Sequence, residues 1–347
     1  MAGDGYKVGV MGATGAVGTT ILALLEEERG FPAREVVAYA SERSAGKALE
    51  WGGKTLTVQP LTAETIQGVD VVLSSPGGAV SSEWSPRFVE AGATVVDNTS
   101  FWRMYEDVPL VVAGVNDAAA EAHQGIVANP NCTTMVMMMA LAPIHRAVGL
   151  ERFVVSSYQA VSGTGQKAIE ELRAQAKAIL AGGDPPAPAV YPHQIAFNVM
   201  PQVESFKDGD DYTTEERKVM AETRKILGVG EEVGISATCA RVSVVVGHSE
   251  SINLQTREDL SPEDCRALLH EATGVRVVDD PANGGYPTSI DSAGLDDVLV
   301  GRIRRDPSQD RTLNLWVSGD NLRKGAATNA VQVAEILVGQ GWLLNQR

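Results

Sequence analysis

Basic charge is what this chain has least of. It carries 29 Lys and Arg against 44 Asp and Glu, a formal net charge of −15. That balance excludes the cationic surface a nucleic-acid partner requires. It also means that any anionic ligand must be met by a few cations gathered locally. Cysteine is scarce, with only Cys132, Cys239 and Cys265. Three thiols make no disulfide framework, and no pairing of them resembles a zinc site. Long apolar runs are missing too. The longest, Met135–Pro143, falls far short of the ~20 residues that a membrane-crossing helix needs. No basic and apolar leader opens the chain, and no repeat or low-complexity tract interrupts it. The expectation is a cytoplasmic protein without nucleic-acid or membrane partners. Its 347 residues, 44% of them hydrophobic, suffice for two domains with cores of their own.

Glycine is present where it matters. Lys7-Val-Gly-Val-Met-Gly-Ala-Thr-Gly-Ala-Val-Gly18 runs from a short apolar strand through Gly12, Gly15 and Gly18. The helical pattern of Val17, Ile21, Leu22, Leu24 and Leu25 follows. Strand, glycine turn and helix start are the parts that cradle a pyrophosphate. The spacing is G-x-x-G-x-x-G rather than G-x-G-x-x-G, so the dinucleotide fingerprint is only partly matched. Gly12, Thr14, Gly15, Ala16 and Val17 are the expected contacts. After the next strand, Glu35–Ala40, an NAD site usually offers an acid to the ribose 2′-hydroxyl. Here Ser41, Arg43 and Ser44 occupy that region. Hydroxyls and a guanidinium suit a 2′-phosphate, hence NADP. Glu42, between them, argues the other way.

Cys132 lies in Ala128-Asn-Pro-Asn-Cys-Thr-Thr134, just ahead of the apolar run. Pro130 fixes its own φ and biases Asn129 away from helix, so a helix should begin just after it. A thiol at a helix start faces unpaired N–H groups and the positive end of the dipole, which favour thiolate. The plainer alternative is a buried small hydrophobe. His248 follows Gly247 and is read as ending an apolar strand. There an imidazole can face a cleft and exchange protons near neutral pH.

Up to about residue 130, strands at Val8–Met11, Val36–Ala40, Val69–Ser74, Thr94–Asp97 and Leu110–Val112 alternate with other segments. This predicts a Rossmann-type, doubly wound parallel sheet. From about 150 the pattern turns to longer β-rich stretches, Phe153–Val161, Ile235–Val246, Ile252–Thr256, Val298–Ile303 and Thr312–Val317. Helical patterns fall at about 165–181 and 261–272. That predicts an α+β domain with a mixed or antiparallel sheet. Residues 1–130 with a returning C-terminal helix (about 326–347) should form the coenzyme domain, and 131–325 the catalytic and dimerisation domain.

Several segments together carry a family resemblance. They are Gly12-Ala-Thr-Gly-Ala-Val-Gly, Ser41-Glu-Arg-Ser-Ala-Gly, Asn98-Thr-Ser-Phe-Trp-Arg-Met and Asn129-Pro-Asn-Cys-Thr-Thr. Further along come Gln159-Ala-Val-Ser-Gly-Thr-Gly, Glu215-Glu-Arg-Lys, Ala240-Arg-Val-Ser-Val-Val-Val-Gly-His and Asp320-Asn-Leu-Arg-Lys-Gly-Ala-Ala-Thr-Asn. In this order, nearly end to end, the chain resembles the aspartate-β-semialdehyde dehydrogenases. The resemblance implies reversible, NADP-dependent reduction of L-4-aspartyl phosphate to L-aspartate 4-semialdehyde and phosphate, a step toward lysine, methionine and threonine. It implies a homodimer or homotetramer. It makes Cys132 the nucleophile, His248 the acid/base and Gln159 a substrate-orienting residue. Arg241 would take the α-carboxylate, Glu215 the ammonium, Lys218 and Arg103 the phosphate, with Asn131 a further substrate contact. Ser162, Gly163 and Asn321 would stand beside the nicotinamide. The alternatives are a related acyl-phosphate reductase of the N-acetylglutamyl-phosphate type, or a non-catalytic nucleotide-binding relative. Against the first, Glu215, Lys218 and Arg241 suit a free amino acid. Against the second, a sensor has no use for Cys132 with His248.

Overall fold

The computed structural model describes residues 5–27 and 31–346. The chain divides into two compact units, Met1–Asn131 with Ala326–Arg347, and Cys132–Gly325. In the first, β1 (Tyr6–Met11), α1 (Ala16–Glu26) and β2 (Ala33–Tyr39) come first. They are followed by β3 (Ala48–Trp51), β4 (Lys54–Thr57), β5 (Val71–Ser74), α2 (Gly78–Glu90), β6 (Thr94–Asp97) and β7 (Ile126–Ala128). The main sheet is parallel throughout, in the order β2-β1-β5-β6-β7. β5 and β6 are buried along their whole length, as strands covered on both faces must be. This is the doubly wound arrangement read from the sequence. Its strand order reverses at β1, and ligands of such sheets bind at the carboxyl ends of the strands there.

Two local features differ from expectation. Leu110–Val112 is not a strand. Leu110 makes one isolated bridge to Ala128, and Ile126–Ala128 forms the edge strand instead. Pro109 precedes it and has no N–H to extend the ladder; its carbonyl accepts from Ala128 N–H at 2.8 Å. The β3–β4 hairpin, turning at Gly52-Gly53, was not foreseen, because its strands are short and half exposed.

The second unit opens with α3 (Cys132–Val148), β8 (Leu150–Gln159), α4 (Gln166–Leu180), β9 (Val199–Met200) and α5 (Thr214–Leu227). Then come β10 (Gly234–Val242), β11 (His248–Thr256), α6 (Pro262–His270), β12 (Val275–Val277), α7 (Ser289–Ser292), β13 (Val298–Arg305) and β14 (Thr312–Gly319). The sheet runs β12-β13-β14-β11-β8-β10-β9. The β8–β10 and β12–β13 pairs are parallel and the others antiparallel, so the sheet is mixed. α3 is buried almost all round, from Thr133 to Ala142, the mark of a central helix. Helix α8 (Thr328–Gln340) belongs to the first unit. Its Ala330, Val331, Val333, Ala334 and Leu337 share a core with Ile21, Leu22, Leu24 and Leu25 of α1.

His248 does not end a strand. β10 stops at Val242, residues 243–247 turn, and His248 opens β11. From there the period of two puts His248, Glu250, Ile252 and Leu254 on one face of the sheet, all fully buried.

Candidate active site

The first unit supplies a loop shaped for a phosphate. Gly12 has φ 85°, and a Cβ there would stand 2.5 Å from the Ser75 carbonyl oxygen. Its N–H and that of Ala13 both donate to Tyr39 O, at 2.8 and 3.0 Å, tying the loop to the end of β2. Gly18 packs against Gly12 and Ala13 with no room for a side chain. At both positions the fold itself excludes a side chain. Gly15, by contrast, is exposed beside Thr14 and opens α1, where no side chain caps the helix. Backbone N–H groups of Ala16 and Val17 in an uncapped first turn are what a pyrophosphate needs. Beyond β2, Ser41 and Arg43 are exposed and Ser44 is half-buried in a single turn of 3₁₀ helix. Arg103 is buried and held by two backbone carbonyls, Nε to Asn129 O at 2.9 Å and Nη2 to Asn98 O at 2.8 Å. Asn131 is buried and is the last residue before α3.

The second unit brings a thiol, an imidazole and a guanidinium close together. Cys132 is the first residue of α3 and is half-buried. Its Sγ lies 3.2 Å from His248 Nε2. Behind the ring, Ala160 N–H donates to His248 Nδ1 at 3.0 Å. Arg241, on β10, is buried and donates from Nη1 to Ala160 O at 2.7 Å; its Nε has no partner. A buried guanidinium left partly unsatisfied is costly unless a ligand completes it. Burial, and then the Arg241 charge, hold His248 well below its ordinary range. Gly163 marks where these groups converge. A Cβ there would stand 3.3 Å from Arg241 Nη1 and 3.5 Å from His248 Nε2. Asn321 donates to Ser162 Oγ at 2.8 Å and accepts from Gly247 N–H at 2.9 Å, fixing the two turns that flank His248.

Gln159 ends β8 and is buried. Its amide nitrogen donates to Ser157 Oγ at 3.2 Å and to Glu215 Oε1 at 3.1 Å. Both amide hydrogens are directed at those two oxygens, which fixes the orientation of the side chain. Glu215 is buried in the first turn of α5, and Lys218 stands one turn on at 3.7 Å. The Lys218 ammonium also pairs with Glu204. A phosphate at Lys218 must compete with that carboxylate. Three groups at the site went unremarked in the sequence: the Ala160 N–H, Ser157 and Glu250. Glu250 had a readable signal, a charged residue on the apolar face of an alternating strand. A backbone N–H has none.

A parallel nucleotide-binding sheet joined to a unit with a paired thiol and imidazole defines a class, the two-domain semialdehyde dehydrogenases. Residues 7–123 match the family model for the semialdehyde dehydrogenase NAD binding domain, and 141–324 that for the semialdehyde dehydrogenase dimerisation domain. Over 340 residues the chain is 52% identical to the aspartate-semialdehyde dehydrogenase of Aquifex aeolicus, spanning 97% of this chain and 99% of that one. The crystal structure of aspartate semialdehyde dehydrogenase II from Vibrio cholerae complexed with ASA superposes with a TM-score of 0.92 at 42% identity, over 97% and 99% of the two chains. A Candida albicans enzyme solved with NADP gives 0.74 at 27% identity, over 98% and 100%. The chain belongs to the aspartate-semialdehyde dehydrogenase family.

Proposed function

We propose that this enzyme interconverts L-4-aspartyl phosphate and L-aspartate 4-semialdehyde through a thioester on Cys132. The observation that carries the reading is the Cys132–His248 contact of 3.2 Å with Arg241 and Glu215 in the same unit. An acyl phosphate is a poor hydride acceptor, whereas a thioester reached by thiolate displacement of phosphate is a good one. The bound nicotinamide supplies or takes the hydride. Ala16 and Val17 offer their N–H groups to its pyrophosphate. Arg43, with Ser41 and Ser44, offers the charge and hydroxyls that favour NADP over NAD. Ser162, Gly163 and Asn321 line the nicotinamide side. Arg241 meets the substrate's α-carboxylate with a planar fork, and Glu215 meets its ammonium. Arg103 and Lys218 take the phosphate, and Asn131 contacts the reacting group. The second unit carries the contact between copies in a homodimer. Cysteines that form no disulfide suit the cytoplasm.

The test is reduction of NADP⁺ with a panel of aldehydes and phosphate. Aspartate semialdehyde should support phosphate-dependent turnover, and N-acetylglutamate semialdehyde and glyceraldehyde 3-phosphate should not. Arg43→Ala should weaken NADPH by about 1.5–3 kcal/mol, the size of a charge-assisted bond, and leave NADH nearly unchanged. Turnover with another aldehyde in preference, or equal use of both coenzymes by the wild type, would contradict the reading.

A further inference from the structure

We infer that Tyr191 is a further substrate-binding residue, whose hydroxyl donates to the α-carboxylate held by Arg241 while the loop that carries it walls the substrate site. The inference rests on the function proposed above and deepens it.

Tyr191 lies in the long connection between α4 and β9, residues 181–198. A loop of that length is uncommon in a compact unit and usually serves function. Two side chains of α4 tie this one down. Glu171 Oε2 accepts from Ala189 N–H and Val190 N–H, both at 2.7 Å. Gln175, one turn on and fully buried, accepts from Ile195 N–H at 3.0 Å and Ala196 N–H at 3.2 Å. The Tyr191 ring packs on the small core that contains Val161, Ile169, Leu172 and Ile195. A ring held this way presents its hydroxyl at a fixed place.

That place is beside the reacting groups. The hydroxyl donates to Thr164 Oγ1 at 3.0 Å. Thr164 and Gly163 are both exposed, and a Cβ on Gly163 would stand 3.3 Å from Arg241 Nη1 and 3.5 Å from His248 Nε2. Burial raises the Tyr191 hydroxyl above its ordinary value, and the Arg241 charge opposes that rise. The same charge, after burial, holds His248 below its ordinary range. Arg241 is thus within electrostatic reach of imidazole and phenol alike. In aspartate semialdehyde only two carbons separate the aldehyde from the carboxylate. A substrate with its aldehyde at Cys132 therefore lays its carboxylate on Arg241, next to the Gly163–Thr164 turn. A carboxylate offers about four lone-pair sites, and a guanidinium fork fills two of them. Tyr191 supplies a neutral donor for a third. Its hydrogen turns from Thr164 to the carboxylate by rotation about the C–O bond, and the ring stays where it is.

Steady-state kinetics of Tyr191→Phe, which keeps the ring and its packing, tests this. The KM for aspartate semialdehyde should rise about tenfold, the low end for a hydrogen bond to a charged group, because the Thr164 bond is given up in exchange. The kcat and the KM values for phosphate and NADP⁺ should not move. Thr164→Val removes only the partner that Tyr191 has in the free enzyme, so it should leave the semialdehyde KM at or below that of the wild type. A tyrosine that merely anchors the loop predicts instead that the two variants behave alike, with cleavage of residues 181–198 by protease quickened in both. That result, or an unmoved semialdehyde KM in Tyr191→Phe, overturns the inference. A rise in the KM for NADP⁺ would place the phenol at the nicotinamide and overturn it too. The aldehyde preference is read in the wild type. Preference for another aldehyde therefore sinks the functional reading, whereas aspartate semialdehyde preferred with Tyr191→Phe silent sinks this inference alone.

Discussion

Glu250 is buried completely, and neither carboxyl oxygen has a hydrogen-bond partner. It sits on the same face of β11 as His248, two residues on. Across the ladder it pairs with Ser157, which in turn pairs with Cys239. Burial holds the Glu250 carboxyl well above its ordinary value of 4.5, and it pushes the Cys239 thiol up as well. Burial thus biases the Glu250 and Cys239 side chains of this row toward their uncharged forms. Above pH 4.5 the unfolded chain loses the Glu250 proton while the folded chain keeps it. The folded state then binds more protons, so stability falls as pH rises, by at most about 1.4 kcal/mol per pH unit. His248 acts with the opposite sign. Its folded value is depressed, so the stability it contributes is present above its ordinary 6.5 and is lost as pH falls. Glu250→Gln should flatten the alkaline decline and leave the acid limb alone. Urea unfolding at a series of pH values measures this, and an unchanged alkaline slope would place the lost protons elsewhere. At this scale the sequence was informative about identity and silent about orientation. Cys132, His248 and Arg241 were legible as types in context. That Lys218 is paired with Glu204 was not, because a loop conformation brings them together.

Among elements, α5 shows how a local signal places a site residue. Thr213 Oγ1 accepts from Glu216 N–H at 3.3 Å, and Glu216 Oε2 accepts from Thr213 N–H at 2.8 Å, a complete capping box. The other Glu216 oxygen accepts from Cys239 N–H at 2.9 Å. The start of the helix is thus tied to β10, which sets Glu215 against Gln159. Thr213→Ala should cost about 0.5–2 kcal/mol, the usual range for a lost cap. It should also raise the KM for the semialdehyde more than it lowers kcat, since Glu215, proposed above to meet the ammonium, loses its anchor. Unfolding and steady-state kinetics together check this, and a stability loss with unchanged KM would separate Glu215 from substrate. The strands of the first sheet were readable because buried parallel strands are nearly continuous apolar runs. Leu110–Val112 misled for the same reason. It is apolar because it is buried, not because it pairs. β11 began four residues earlier than its apolar part, since His248, Ser249 and Glu250 mask the strand pattern.

For the whole molecule, the net charge of −15 is the setting in which the anion sites must work. In the function proposed above, Arg103, Lys218 and Arg241 are the cations that must hold a phosphorylated acid against that field. Among the described residues no helix is long and apolar enough to cross a membrane. The doubly wound unit and the mixed-sheet unit were both legible as classes, because a period of two and a glycine turn survive any detail of packing. The pairing of Cys132 with His248, 116 residues apart, was legible only through the family's ordered motifs. The central claim is the covalent one, and omitting phosphate isolates it. With aspartate semialdehyde and NADP⁺ alone, the wild type should release about one equivalent of NADPH per chain and stop, as a burst does when the acyl-enzyme cannot turn over. Mass spectrometry of the quenched protein should find an aspartyl adduct on the peptide bearing Cys132, cleared when phosphate is added and absent in Cys132→Ala. Steady turnover without phosphate and without an adduct, or an adduct on Cys239 or Cys265 instead, would contradict the account.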